Sequence, residues 1–318
     1  MKVLITGITG FAGTHLATYL AKVGGVEVAG LDLQAPAKKV AAGLKHATIH
    51  CCDLADAGRV QKVIGQERPD AVVHLAARAQ VAGAWEDAVA IMETNVVCTQ
   101  SLLQALHQAA PAARVLLVSS SEVYGKVPPE QMPIREDSPM KPNNPYSASK
   151  AAVEFIGLEY FYAFGAAVII ARPFNHIGPG QRGNFVVPAL ASQIAEIEAG
   201  LKEPVLKVGR LDSERDFTDV RDIVRAYWLL IQKGEPGLAY NIASGTRHKI
   251  KEILDTLLKL SEIRPSVEHP RELMRPSDTP VVIGDSSRLR TLDDWRPQIP
   301  IETSLRDALD YWRRAVGL

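Results

Sequence analysis

The segment Thr6-Gly7-Ile8-Thr9-Gly10-Phe11-Ala12-Gly13 constrains the fold of this chain more than any other. It follows an apolar run, Lys2 to Thr6 (KVLIT), that reads as a buried strand. It leads into Thr14 to Lys22, which reads as a helix with Leu16 and Leu20 on one face. Glycines spaced GxxGxxG between a strand and a helix let the backbone approach a pyrophosphate closely, and the helix N-terminus behind them supplies N–H donors and a positive dipole end. The third glycine, Gly13, permits close packing of helix on strand. A glycine trio alone marks only a tight turn; a strand before it and a helix after it make it a dinucleotide cradle.

The rest of the first half continues in the same way. Glu27 to Leu31, Ala47 to Cys51, Ala71 to Leu75, Val115 to Ser119 and Ala167 to Arg172 read as further strands, separated by helical patterns. Strands alternating with helices predict βαβ units, hence a Rossmann-type doubly wound parallel α/β sheet covered on both faces. After Arg172 the pattern changes. Pro173 to Gly183 reads as a loop, Phe185 to Gly200 as a helix, Glu203 to Val208 as a short strand, Asp219 to Gln232 as a helix and Tyr240 to Ala243 as a strand. Ile250, Ile253, Leu254, Leu257 and Leu258 fall on one helical face, and Ser304 to Val316 forms a last amphipathic helix. At 318 residues the chain is long enough for about two domains of roughly 150 each. The expected division is 1–172, with returning segments near 216–243, as the dinucleotide domain, and 173–215 with 244–318 as a smaller α/β substrate domain. Val127 to Pro145 holds six prolines and reads as an ordered loop on the substrate side.

Charge and cysteine usage exclude several classes. The 36 basic and 36 acidic residues cancel, which argues against a nucleic-acid or membrane-surface protein. Only Cys51, Cys52 and Cys98 occur, with no CxxC, so neither a disulfide framework nor a metal site is expected. MKVLITG carries no leader pattern, and no apolar run approaches a membrane span of about 18 residues. The expected compartment is the cytoplasm.

Two further constellations carry chemistry. Asp32 ends the second strand, 19 residues after Gly13, where a carboxylate can accept from the adenine ribose hydroxyls and repel a 2′-phosphate. It favours NAD(H), with NADP(H) also possible. Asp53, past the third strand, is either an adenine contact or a polar strand end. Pro145-Tyr146-Ser147-Ala148-Ser149-Lys150 opens a helix, with Tyr146 and Lys150 at i and i+4 on one face. A tyrosine titrates near about 10, and a neighbouring ammonium is expected to lower that value. Such a pair can exchange a proton with a substrate oxygen while hydride moves at the same carbon. Ser120, in Ser119-Ser120-Ser121-Glu122-Val123-Tyr124-Gly125 at the end of the fifth strand, is the choice for a third member; Ser119 and Ser121 are its neighbours in contention.

With TGITGFAG, the Asp53-Leu54 pair, HLAA at 74–77, Asn95, SSSEVYG and PYSASK in place, the whole chain resembles the extended short-chain dehydrogenase/reductases that act on nucleotide-sugars. The resemblance implies cofactor contacts from Gly7, Thr9, Gly10, Phe11, Ala12, Gly13, Asp32, Leu33, Asp53, Leu54, Leu75, Ala76, Ala77, Tyr146 and Lys150. It implies a catalytic role for Ser120, four residues before the tyrosine of VYG. It also implies substrate contacts from Asn175, Val186, Lys207, Arg215 in the RDF motif, and Arg275. Two guanidinium groups suit a diphosphate, since each can fork two hydrogen bonds onto phosphoryl oxygens; surface salt bridges are the plainer use of the same arginines. Longer stretches, among them ARPFNHIGPGQRGNFVVPALASQIAEIEAG and VGRLDSERDFTDVRDIVRAYWLL, are similar to reductases of GDP-4-keto-6-deoxy-D-mannose, relatives of the GDP-mannose 4,6-dehydratases. The activity implied is reduction of the 4-keto group to GDP-D-rhamnose by NAD(P)H. Glu122 keeps a dehydratase or epimerase with recycled cofactor open, because dehydratases use a glutamate at this place to remove the C5 proton. Relatives pair through two helices per subunit, so a homodimer through the helices around 95–107 and 146–164 is expected.

Overall fold

A computed structural model describes residues 1–79, 84–273 and 279–318. Its larger layer opens with β1 (Lys2–Thr6), α1 (Phe11–Val23), β2 (Glu27–Asp32), α2 (Lys38–Gly43), β3 (Ala47–Cys51), α3 (Ala57–Glu67) and β4 (Ala71–His74). There follow α4 (Ala88–Met92), a π-helical turn over Glu93–Val97, α5 (Cys98–Ala109), β5 (Arg114–Val118), α6 (Pro145–Phe164) and β6 (Val168–Pro173). The second half contributes β7 (Asn175–Ile177), α7 (Val186–Glu198), β8 (Val205–Lys207), β9 (Glu214–Asp219), α8 (Val220–Lys233), β10 (Ala239–Ile242) and β11 (Arg247–Lys249). The chain ends with α9 (Ile250–Lys259), β12 (Ser266–Glu268), β13 (Val281–Val282), α10 (Ser287–Asp293) and α11 (Ile301–Val316).

The main sheet has seven strands in the order β10-β6-β5-β4-β1-β2-β3, all parallel. Strand order reverses its march between β1 and β4, the switch point at which open α/β sheets bind ligands beyond their carboxyl ends. Alternation along β1 explains the two-faced cover. Val3 and Ile5 join Leu16, Leu20, Val224 and Tyr227 of α1 and α8 in one core. Leu4 faces the opposite core, with Val60, Ile64, Leu102, Leu106 and Val153 of α3, α5 and α6. Each such fully buried aliphatic contributes about 1.5–3 kcal/mol of hydrophobic free energy.

The smaller layer is a sheet in which β9 pairs with β7, β11 and β13. Its core joins Val187, Leu190 and Ile194 of α7 to Ile253, Leu257, Leu305 and Leu309 of α9 and α11. Three readings from sequence change here. The stretch 173–183, read as a loop, contains β7, a three-residue strand made by pairing with β9 rather than by local pattern. Within the returning segment, β10 pairs with β6 and α8 packs on the main sheet, but residues 216–219 belong to β9 in the small sheet. Helix α1 starts at Phe11 rather than Thr14, because Gly10 serves directly as its N-cap.

Helix α6 has a strong local start. Asn144 accepts from Ser147 N, the Ser147 hydroxyl accepts from Asn144 N, and Pro145 occupies the first turn. That box sets the phase of the helix, and with it the direction of Tyr146 and Lys150. The proline-rich segment is ordered as expected: Ile134, Val127 and Tyr124 form a small core with Phe174 and Ala243.

Candidate active site

The residues singled out in sequence converge on one edge of the main sheet. The glycine turn follows β1, Asp32 ends β2, Leu75 to Ala77 follow β4, Ser120 follows β5, and Asn175 lies just past β6. All of these are carboxyl ends of parallel strands, so topology alone gathers them.

The turn is built for close backbone approach. Gly7 has φ +70°, and a Cβ on it would sit 3.0 Å from the Ala76 backbone. A Cβ on Gly13 would meet Gly7 O at 2.3 Å. The turn is clamped by Asp32, whose Oδ2 accepts from Thr9 N at 2.9 Å and Thr9 Oγ1 at 2.8 Å, while Oδ1 accepts from Leu33 N at 2.8 Å. A backbone cradle open to a helix N-terminus, with a carboxylate at the neighbouring strand end, fits a dinucleotide. Asp53 is exposed and turns back to accept from Ala55 N at 2.9 Å, while Leu54 packs into the core.

Ser120, Tyr146 and Lys150 meet at the end of β5. Ser120 caps a short 3-10 turn by accepting from Glu122 N at 3.2 Å. Its side chain lies close enough to the Tyr146 phenol to act on the phenol's pKa. Lys150 is 4% exposed, and its Nζ donates to Val118 O at 2.7 Å. The ammonium does not do to Tyr146 what the i, i+4 spacing suggests. Burial pushes the phenol up to about 12; the Ser120 side chain opposes this, and the Glu122 carboxylate adds to it. Burial likewise pushes Lys150 down to about 8, against the Glu154 carboxylate, which raises it. The lysine is directed at a carbonyl, so desolvation dominates both groups and the phenol holds its proton. A protonated phenol beside a hydroxyl is a proton donor in waiting.

A buried ion pair that the sequence did not signal supports this corner. Arg172 Nη2 donates to Glu154 Oε2 at 2.6 Å and Arg172 Nη1 to Tyr124 Oη at 2.8 Å. Ser119 Oγ donates to Glu154 Oε1 at 2.5 Å, and Tyr124 Oη donates to Asn241 Oδ1 at 2.7 Å. Ser119 is thereby engaged with Glu154, while Ser120 is the serine that acts on the Tyr146 phenol. Arginine and glutamate stand 18 positions apart on different elements, so no local spacing could have paired them.

The substrate-side candidates are less gathered. Arg215 Nη1 donates to Glu214 O at 2.9 Å and Thr279 O at 2.8 Å, which steadies its guanidinium. Next to it, the buried Asp216 carboxylate accepts from Ser244 N, Ser244 Oγ, Gly245 N and Gly284 N. Val186 opens α7, partly exposed, and Lys207 is exposed at the end of β8 with its N–H held by Gln193 Oε1 at 2.9 Å. Arg275 lies outside the described residues. Among the described residues no cluster of three His, Cys, Asp or Glu side chains could hold a metal ion, and no helix is long and apolar enough to cross a membrane.

A doubly wound dinucleotide-type sheet, with a serine, a tyrosine and a lysine at its carboxyl edge and a second small α/β layer, defines an extended short-chain dehydrogenase/reductase. The model of the GDP-mannose 4,6 dehydratase family matches residues 4–308, and the chain belongs to that family. It is 35% identical over 315 residues to GDP-6-deoxy-D-mannose reductase of Pseudomonas aeruginosa, covering 99% of this chain and 98% of the relative. It is 29% identical to GDP-mannose 4,6 dehydratase 1 of Arabidopsis thaliana, covering 96% of this chain and 88% of that one. Among solved structures, RMD from Pseudomonas aeruginosa complexed with NADPH superposes with a TM-score of 0.88 at 35% identity, over 99% of each chain. The UDP-glucose 4-epimerase of Thermus thermophilus complexed with NAD gives 0.87 at 30% identity, over 99% of this chain and 100% of that one.

Proposed function

We propose that this protein reduces the 4-keto group of GDP-4-keto-6-deoxy-D-mannose to give GDP-D-rhamnose. The observation that carries the reading is the end-to-end match to a reductase of GDP-6-deoxy-D-mannose, together with Ser120, Tyr146 and Lys150 buried together at the sheet's carboxyl edge. The dinucleotide, when bound, supplies the hydride. Tyr146 donates its phenolic proton to O4, Ser120 orients the carbonyl, and Lys150 would hold the nicotinamide ribose. Gly7, Thr9, Gly10, Phe11, Ala12 and Gly13 would hold the pyrophosphate, Asp32 and Leu33 the adenosine ribose, Asp53 and Leu54 the adenine, and Leu75, Ala76 and Ala77 the connecting backbone. Asn175, Val186, Lys207, Arg215 and Arg275 would face the nucleotide-sugar.

For the cofactor we favour NAD(H). Asp32 is held by Thr9 and Leu33 in a fixed position, where its charge opposes a 2′-phosphate. The relative bound to NADPH makes this a point to measure rather than to carry over. A 4,6-dehydratase is the second reading, favoured by one observation: the Glu122 carboxylate lies close enough to Tyr146 to raise its pKa. Incubation with the keto sugar and NADH or NADPH, and separately with GDP-mannose alone, decides between them. Stoichiometric loss of reduced-nicotinamide absorbance with the keto sugar supports the reductase. Absorbance-silent conversion of GDP-mannose supports the dehydratase.

The remaining assignments follow the same reading. The main sheet, 1–172 with most of the returning 216–243 segment, would bind the dinucleotide, and 173–215 with 244–318 the substrate. A homodimer would form through the helices around 95–107 and 146–164, where Val97, Phe155, Tyr162 and Phe164 stand 54%, 60%, 78% and 54% exposed. Sedimentation of wild type against Phe155→Glu tests it: a wild-type monomer sinks the assignment. Three free thiols, one of them exposed, suit a reducing compartment such as the cytoplasm.

A further inference from the structure

A buried polar chain runs beneath the site and takes no part in the chemistry proposed above. Ala76 N donates to Thr6 Oγ1 at 3.2 Å, and Thr6 Oγ1 lies 2.7 Å from His74 Nδ1. His74 Nε2 lies 2.9 Å from Thr99 Oγ1, which donates to Asn95 O at 2.5 Å. Thr6, His74, Asn95 and Thr99 are each at most 2% exposed. The Asn95 side chain continues the chain: Oδ1 accepts from Arg78 N at 2.8 Å, and Nδ2 donates to Ser149 Oγ at 2.9 Å. Ser149 Oγ in turn donates to the carbonyl of Tyr146 at 2.7 Å.

The ends of the chain fix the direction of its bonds. An amide N–H can only donate and a carbonyl can only accept. The Thr99 proton is committed to Asn95 O, so Thr99 Oγ1 must accept from His74 Nε2–H. A neutral imidazole then has a bare Nδ1, which accepts from the Thr6 hydroxyl, and Thr6 is left free to accept from Ala76 N. An imidazolium would need Thr6 as an acceptor at both contacts and would strand the Thr6 proton in a buried site. Burial and the facing Lys150 ammonium act in the same direction, pushing His74 down to about 3.

We propose that His74, locked neutral as the Nε2–H tautomer, is a positioning residue that couples the glycine-turn cradle to the helix carrying Tyr146 and Lys150. At one end the chain grips Thr6 and Ala76; Thr6 precedes Gly7, and Ala76 is the backbone that Gly7 approaches. At the other end it grips Asn95 in the π-helical turn, a local widening that lets one side chain reach both Arg78 and Ser149. The assignment rests on the roles given above to Tyr146 and Lys150.

The test compares wild type, His74→Gln and His74→Leu, each checked for folding by near-UV circular dichroism. Glutamine keeps one acceptor and one donor; leucine fills space but leaves both threonine hydroxyls without the imidazole. For His74→Leu the expected results are a kcat drop of roughly ten- to a hundredfold and a keto-sugar KM within about threefold of wild type, as misalignment rather than lost binding would give. His74→Gln should recover most of the kcat. In wild type, ¹⁵N NMR of His74 should show an unprotonated Nδ1 and no titration between about pH 5.5 and 8.5. A folded His74→Leu with kcat within about twofold of wild type overturns the proposal, as does an Nδ1–H tautomer or a titration in that window. If His74→Leu does not fold, the His74→Gln kinetics and the wild-type tautomer decide. A wild type that turns over no keto sugar defeats the reductase reading instead, and the tautomer measurement still judges the chain.

Discussion

Replacing Lys150 with methionine should make the protein more stable and catalytically dead, and the size of the gain follows from burial. The ammonium is 4% exposed, and burial lowers its pKa from 10.5 to about 8. In the unfolded chain the same group keeps its ordinary value. At pH 7 the charged lysine therefore costs the native state about 3 kcal/mol relative to an unperturbed one. Methionine has similar volume and removes that cost. It also removes the hydrogen bond to Val118 O, worth about 1 kcal/mol. The net expectation is a gain of about 2 kcal/mol at pH 7. The pH dependence supplies the sharper check. Between pH 8 and 10.5 the unfolded state binds more protons than the native state, so wild-type stability rises with pH across that window. The advantage of Lys150→Met should then shrink and vanish. Urea unfolding of both proteins at several pH values, beside NAD(P)H oxidation with the keto sugar, measures all of this. A Lys150→Met protein less stable at pH 7, or an advantage that does not change up to pH 10, refutes the argument from desolvation.

Three other outcomes are expected. Tyr146→Phe removes the proton donor but not the ring, so kcat for keto-sugar reduction should fall about 10²–10⁴-fold with folding intact; retention of more than a tenth of the activity counts against the assignment. Gly13→Ala drives a Cβ to 2.3 Å from Gly7 O, so it should destabilise the protein by about 1–3 kcal/mol in denaturant titration and weaken dinucleotide binding in a fluorescence titration. Asp32→Ser removes the charge beside the ribose and loosens Thr9, so the ratio of kcat/KM for NADPH over NADH should rise by about tenfold or more; an unchanged ratio means that Asp32 does not select the cofactor.

Much of the cofactor half was legible in the sequence. KVLIT followed by three spaced glycines specifies a strand, a tight turn and a helix, because only glycine tolerates the φ of +70° at Gly7 and the crowding at Gly13. The strands β2, β4, β5 and β6 are short apolar runs, and a strand buried on both faces needs that composition. The i, i+4 spacing of Tyr146 and Lys150 and the run of serines after β5 are local facts, so the sequence offered these residues as candidates, with Ser119 and Ser121 beside Ser120. By contrast β7, β11 and β13 are two or three residues long and β9 is largely polar; they are strands because the first three pair with β9, a property of partners rather than of residues.

By itself, then, the sequence determined the parallel sheet, its nucleotide-binding turn and the identity of the chemical groups after β5. Only the tertiary structure decided the state of those groups. Burial, not the neighbouring ammonium, raises the pKa of Tyr146, and Lys150 donates to Val118 O at the end of β5. The same holds for the Arg172–Glu154 pair, 18 residues apart, and for the His74 ring, whose partners Thr6 and Thr99 lie 68 and 25 residues away. Electrostatics and hydrogen bonds act through space, and a pattern read along the chain carries no record of which distant group will fill that space.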